Sequence, residues 1–204
     1  MSTRTVGSDS RIGYQFLFPG VGYGGSCFPK DVRAICTLAR QHDRRLSILE
    51  SVDRVNEEQK ILLGEKVVKR FGEELRDHTF AVWGLSFKPK TDDMRDAPSI
   101  PIISHLLERG AKVRAYDPEA REAAAQVFEG RVEISQKPYA ALSGASALLV
   151  ITEWNEFRRP NFPRMKELLR SPVIFDGRNV YSPSVLMKLG FEYYGIGVRD
   201  SSYE

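Results

Sequence analysis

Hydrophobic positions along the chain fall into two textures. From Asp31 they recur at Val32, Ile35, Cys36 and Ala39, the i, i+3, i+4, i+7 spacing of one apolar helix face. Cys36 is thereby expected in the core. A second helix is predicted from Ser47, where Ser47 and Glu50 have the spacing of a capping box. Ile48, Val52, Val55, Leu62, Val67 and Phe71 then carry an apolar stripe as far as Gly72. At about 1.5 Å per residue such a helix is about 35 Å long, which suits a contact between subunits as well as packing within one chain.

After Leu75 the texture changes. TFAVWGL has the apolar run of a buried strand, Pro98 to Arg109 reads as a helix stopped by Gly110, and KVRAYD is a second strand. A helix near Tyr139 to Leu142, the strand ALLVIT, a helix near Phe162 to Leu169 and the strand VIFDG continue the alternation. The pattern predicts an α/β fold: a parallel, doubly wound sheet with helices on both faces in residues 77–204, preceded by a helical segment in residues 1–76.

Composition narrows the class without naming a function. The 204 residues are 42% hydrophobic and 28% charged, the ordinary balance of a globular protein. No apolar run approaches the roughly 20 residues of a membrane span, and MSTRTVGSDSRIG has no apolar signal core, so a cytoplasmic location is expected. The net charge of +3 is spread along the chain, which argues against nucleic acid as a partner. Cys27 and Cys36 are the only cysteines, too few for a disulfide scaffold. With His42, His78 and His105 as the only histidines, the usual Cys/His zinc spacing is absent and no metal is expected.

Three stretches could carry chemistry. Arg11 to Asp31 has no helical or strand period but holds Gly13, Gly20, Gly22, Gly24 and Gly25, as expected of a loop whose backbone turns sharply or approaches something closely. Within it Cys27 is followed by Lys30 and Asp31 at a helix start, an arrangement that suits a nucleophilic thiol beside a carboxylate able to move protons. The loop after the first strand, GLSFKPKTDDMRDAP, has one glycine where a G-x-G-x-x-G dinucleotide fingerprint needs three. Instead Phe87, Lys88, Lys90 and Arg95 mingle with Asp92, Asp93 and Asp96 at a strand's carboxyl end, either an anion site or a solvated charged loop. Asp117 lies well beyond the roughly 20 residues that would make it a ribose ligand, so a turn role in YDP is expected. In FDGR, Arg178 ends a later strand where it is a candidate phosphate or sugar ligand, or an ordinary solvated arginine.

FLFPGVGYGGSCFPKD, GLSFKPKTDDMRDAPS, YDP, TEWNEF and FDGRNV follow one another in an order that resembles the UDP-glucose/GDP-mannose dehydrogenase family across nearly the whole chain. The resemblance implies oxidation of a sugar C6 alcohol to a carboxylate in two hydride transfers to NAD, with Cys27 carrying a thiohemiacetal and then a thioester. Asp31 would help activate water, and Lys30 and Arg95 would face NAD. Phe16, Leu17, Phe18, Pro19, Gly20 and Gly24 would cradle the UDP-sugar, Phe87, Lys88 and Arg178 would hold it from a Rossmann-like, UDP-binding domain, and Arg11 would reach a neighbouring subunit's site. Phe28 and Ser26 resemble the members that convert UDP-glucose to UDP-glucuronate more than those acting on GDP-mannose or N-acetylated UDP-sugars. A homodimer through the central helices is implied. The family's amino-terminal NAD-binding domain, with the glycine fingerprint, has no counterpart in these residues, so no turnover is expected from them alone. A UDP-sugar-binding or dimerisation module without catalysis is the other reading.

Overall fold

The computed structural model describes residues 3–198. Its centre is a six-stranded, all-parallel sheet of β1 (Thr79–Trp83), β2 (Lys112–Tyr116), β3 (Glu133–Ile134), β4 (Ala147–Val150), β5 (Val173–Asp176) and β6 (Glu192–Gly195). The strand order is β3-β2-β1-β4-β5-β6, the doubly wound order of the dinucleotide-binding folds. In register, Phe80 of β1 stands between Val113 and Ala147, and Trp83 between Tyr116 and Val150.

Alternate strand residues feed two separate cores, as the period of two requires. Phe80, Val82, Leu149 and Phe175 point to one face, covered by α3 (Ser47–Phe71), α4 (Ser99–Leu107) and α5 (Arg121–Phe128). Ala81, Trp83, Leu148 and Ile174 point to the other, covered by α6 (Pro138–Leu142), α7 (Phe162–Leu168) and α8 (Pro183–Lys188). With both faces covered, the central strands read as unbroken apolar runs, which is why TFAVW and ALLV were legible as strands.

Before the sheet come α1 (Thr3–Gly7), a 3₁₀ turn at Tyr14–Leu17 and α2 (Phe28–Gln41). The amino-terminal segment is thus more ordered than its glycines suggest, and α2 begins at Phe28, three residues before the predicted start, with Pro29 in its first turn. Val32 and Cys36 are buried as expected, but Ile35 remains 48% exposed.

The expected capping box does not form. Ser47 is the first helical residue of α3 and Leu46 its N-cap, while the Glu50 carboxylate is taken by Arg40 and Arg45. These two guanidinium groups, Arg45 first, hold Glu50 below the ordinary carboxylate range. The apolar stripe of α3 divides: Leu63 and Val67 enter the sheet core, whereas Ile48, Val52 and Val55 stay exposed. Gly72, at φ 93°, ends the helix.

α5, β3, α8 and β6 were not anticipated. β3 has two residues and cannot show a period, and α5 and α8 are short, of eight and six residues. No helix among the described residues is long and apolar enough to cross a membrane.

Candidate active site

The strand order reverses between β1 and β4, so their carboxyl ends diverge and leave the crevice in which open α/β sheets bind ligands. The loop leaving β1 turns at Gly84, whose φ of 90° and close approach to Thr152 exclude a side chain. It is then anchored from β2. Asp117, fully buried, accepts from Leu85 N at 2.7 Å, Ser86 N at 3.2 Å and Trp154 Nε1 at 3.2 Å through Oδ2. Its Oδ1 accepts from Glu119 N and Ala120 N, each at 2.9 Å, which is the turn role expected of it. The organising role of Oδ2 lies beyond that expectation.

So held, residues 85–97 fold back on themselves instead of opening as a phosphate loop. Phe87 N donates to Asp93 O at 3.1 Å. Arg95 donates to the Asp93 carboxylate from its backbone N and its Nε, both at 2.9 Å, and from Nη2 at 2.8 Å. The Arg95 guanidinium holds Asp93 below the ordinary carboxylate range, and Asp93 in turn raises Arg95, with a smaller Coulombic contribution from Cys27. Lys88 is exposed, its Nζ 5.1 Å from the half-buried Phe87 ring. Neither a purely solvated loop nor a bare cationic anion site describes this segment.

The glycine-rich loop is strung between this segment and α3. Gln59 Nε2 donates to Gly20 O at 2.6 Å, Tyr23 N donates to Asn56 Oδ1 at 2.8 Å, and Asn56 Nδ2 returns a bond to Tyr23 O at 3.2 Å. On the other side Gly25 N donates to Arg95 O at 2.8 Å. The glycines are needed for closeness: a Cβ at Gly24 would overlap the Asp96 carbonyl oxygen, and one at Gly25 would stand 2.8 Å from the Phe87 ring. Gly24→Ala is expected to push the loop off the sheet, costing about 1–3 kcal/mol of stability as overpacking does, and measurable as a lowered thermal midpoint. An unchanged midpoint would show that this contact is not needed.

The loop delivers Cys27 to the N-cap position of α2, exposed, with Sγ 3.6 Å from Ser26 Oγ. Asp31 N donates to Cys27 O at 2.8 Å, and the exposed Lys30 and Asp31 pair at 3.3 Å. Phe28 packs its ring 4.7 Å from that of Tyr23 and is 57% exposed. Phe18 and Pro19 are exposed, and Phe16 and Leu17 lie in the 3₁₀ turn. Arg178 leans on Gly20, where a Cβ would stand 2.5 Å from its Nη1. Gly20, Gly24, Cys27, Phe87, Arg95 and Arg178 are thereby gathered around the crevice. Arg11 is not; it sits 86% exposed on Asp9.

Asn56, Gln59 and Lys60 were missed. Their i, i+3, i+4 spacing forms a polar strip on α3 beside its apolar one, and that strip is the signal the sequence offers. Lys60, 3% exposed, pairs with Glu57 at 2.9 Å and faces Asp96 at 4.0 Å. Among the described residues no three His, Cys, Asp or Glu side chains converge to hold a metal ion.

Residues 3–58 match the description "UDP-glucose/GDP-mannose dehydrogenase family, central domain", and residues 81–183 match that family's UDP binding domain. The chain is 45% identical over 199 residues to the UDP-glucose 6-dehydrogenase of Pseudomonas aeruginosa, covering 95% of this chain and 44% of that protein. It is also 45% identical over 197 residues to that of Rhizobium meliloti, covering 97% and 45%. The UDP-glucose dehydrogenase of the archaeon Pyrobaculum islandicum superposes with a TM-score of 0.83 at 32% identity, over 97% of this chain and 43% of that one. The chain therefore spans less than half the length of these relatives.

Proposed function

The chain belongs to the UDP-glucose/GDP-mannose dehydrogenase family, and from that premise we propose that it is the catalytic-cysteine and UDP-sugar-binding portion of an NAD-dependent UDP-glucose 6-dehydrogenase. The observation that carries this reading is the docking of the glycine-rich loop, with Cys27 at its end, onto the crevice between β1 and β4.

Cys27 Sγ adds to the carbonyl carbon of the C6 aldehyde and forms a C–S bond, giving the thiohemiacetal. At the thioester stage water adds to the same carbon and the C–S bond breaks, which releases the carboxylate and returns the thiol. Asp31, one helical turn after Cys27, takes the proton from that water. The exposed cations Lys30 and Arg95, on the rim beside an exposed thiol, fit an anionic dinucleotide arriving from solvent. Bound NAD would supply the hydride acceptor for both oxidations.

Phe16 to Gly20 and Gly24 cradle the UDP-sugar by backbone, while Phe87, Lys88 and Arg178 hold it from the sheet. Residues 1–76 form the catalytic-loop and dimerisation segment and residues 77–204 the UDP-sugar domain. An open, mostly apolar groove of about 680 Å³ along α3, lined by Ile48, Val52, Val55 and Tyr23 among others, supports a homodimer through this helix. Arg11, exposed and paired only with the nearby Asp9 among the contacts described, is given the role of reaching a neighbouring subunit's site. Phe28 after the cysteine, and relatives at 45% identity named for UDP-glucose, support that sugar over GDP-mannose or N-acetylated UDP-sugars.

Calorimetric titration of the 204-residue chain tests the reading. Heat on adding UDP-glucose, and none with GDP-mannose, is the expected result. Preference for GDP-mannose would overturn the sugar assignment, and absence of any nucleotide-sugar binding would overturn the site.

A further inference from the structure

Beyond β4 and β5, Arg178 is locked to Glu153, a side chain with no role so far. Arg178 Nε lies 2.7 Å from Glu153 Oε2, and Nη2 donates to Glu153 Oε1 at 2.7 Å, with the two side chains 26% and 24% exposed. Parallel, charge-assisted bonds of this kind fix the plane of a guanidinium as well as its position. Glu153 follows β4 and Arg178 follows β5, so the fork ties the carboxyl ends of neighbouring strands. Arg178 is also set by its backbone, whose N donates to the buried Asp176 Oδ1 at 3.1 Å.

The fork commits Nε and Nη2 and leaves Nη1 on the side of the loop, against Gly20. An arginine without such a partner would have to order a long, flexible side chain when its ligand arrived, at a cost in entropy. We propose that Glu153 is a positioning residue that presents the Nη1 edge of Arg178 to the UDP-sugar. The proposal rests on the reading of Arg178 as a nucleotide-sugar ligand.

A double-mutant cycle in the 204-residue chain tests it, with UDP-glucose affinity measured by calorimetry. Glu153→Gln keeps the shape but leaves one acceptor oxygen and turns an amide NH₂ toward the guanidinium. Glu153→Gln and Arg178→Met are each expected to weaken binding by about tenfold or more, since bonds to charged groups are worth that much. The double variant is expected to lose no more than Arg178→Met alone, because Glu153 acts through Arg178. Glu153→Asp, which keeps the charge but withdraws it by one methylene, should lose an intermediate amount, and it decides the matter if Glu153→Gln lowers the thermal midpoint too far to titrate.

Two results would overturn the role of Glu153 while leaving the nucleotide site intact. One is wild-type affinity in the Glu153 variants beside a weakened Arg178→Met. The other is a double variant whose losses simply add. Unchanged binding by Arg178→Met, or no binding by the wild-type chain, would instead overturn the assignment of Arg178 and this proposal with it.

Discussion

Under the proposed function, Cys27→Ala is expected to reduce NADH formation from UDP-glucose, in a UDP-glucose 6-dehydrogenase that includes these residues, by about a thousandfold or more, as loss of a covalent nucleophile does. The neighbouring Ser26 hydroxyl, 3.6 Å from Sγ, is a much weaker nucleophile than a thiol. Lys30 and Asp31 are paired to each other, and Cys36 is 6% exposed in the packed face of α2. UDP-glucose affinity should stay within about twofold, because the groups proposed to hold the nucleotide are unchanged by the substitution. Alkylation of the native chain provides an independent check: iodoacetamide should modify Cys27 rapidly and Cys36 only on unfolding, so Cys27→Ala should leave no fast-reacting thiol. A variant that retained turnover would sink the covalent route.

The second large effect lies away from the reacting atoms. Asp117→Ala is expected to cost roughly 3–5 kcal/mol, because several buried donors lose their acceptor and each unpaired donor costs about 1–3 kcal/mol. Those donors belong to Leu85, Ser86, Glu119, Ala120 and Trp154, which span the loops after β1, β2 and β4. Set against the roughly 5–15 kcal/mol by which domains of this kind are stable, the loss leaves a marginal fold. Asp117→Asn should recover only part of it, since its amide keeps one acceptor and turns a donor toward the others. Urea unfolding followed by tryptophan fluorescence would measure both variants. A loss under about 1 kcal/mol for Asp117→Ala would mean that water replaces the carboxylate and that the loop needs no such anchor.

Asp117 also marks the limit of sequence reasoning. Its residue type and the following proline forecast the turn at Glu119 and Ala120, because that bond closes within three residues. Its bonds to Leu85 and Ser86 join residues more than thirty positions apart, and no local pattern signals them. The same division runs through α3. Its extent up to Gly72 was legible, but the burial of Leu63 beside the exposure of Val55 depends on where α4 and the sheet stand.

By itself the sequence determined the α/β class, the strands β1, β2, β4 and β5, the helices α2, α3, α4, α6 and α7, and the family, because apolar periodicity and motif spacing are properties of neighbouring residues. The short β3, the closing strand β6 and the failed capping box at Ser47 were settled by strand pairing and by Arg40 and Arg45 competing for Glu50. Only the tertiary structure decided that the glycine loop, the 85–97 segment and Arg178 meet at one crevice. The meeting of the loop and the segment rests on hydrogen bonds that Asn56 and Asp117 accept and Gln59 donates, joining residues 31 to 39 positions apart. Such bonds cost loop-closure entropy that only the packed sheet and helices can offset, so they exist when the whole fold does.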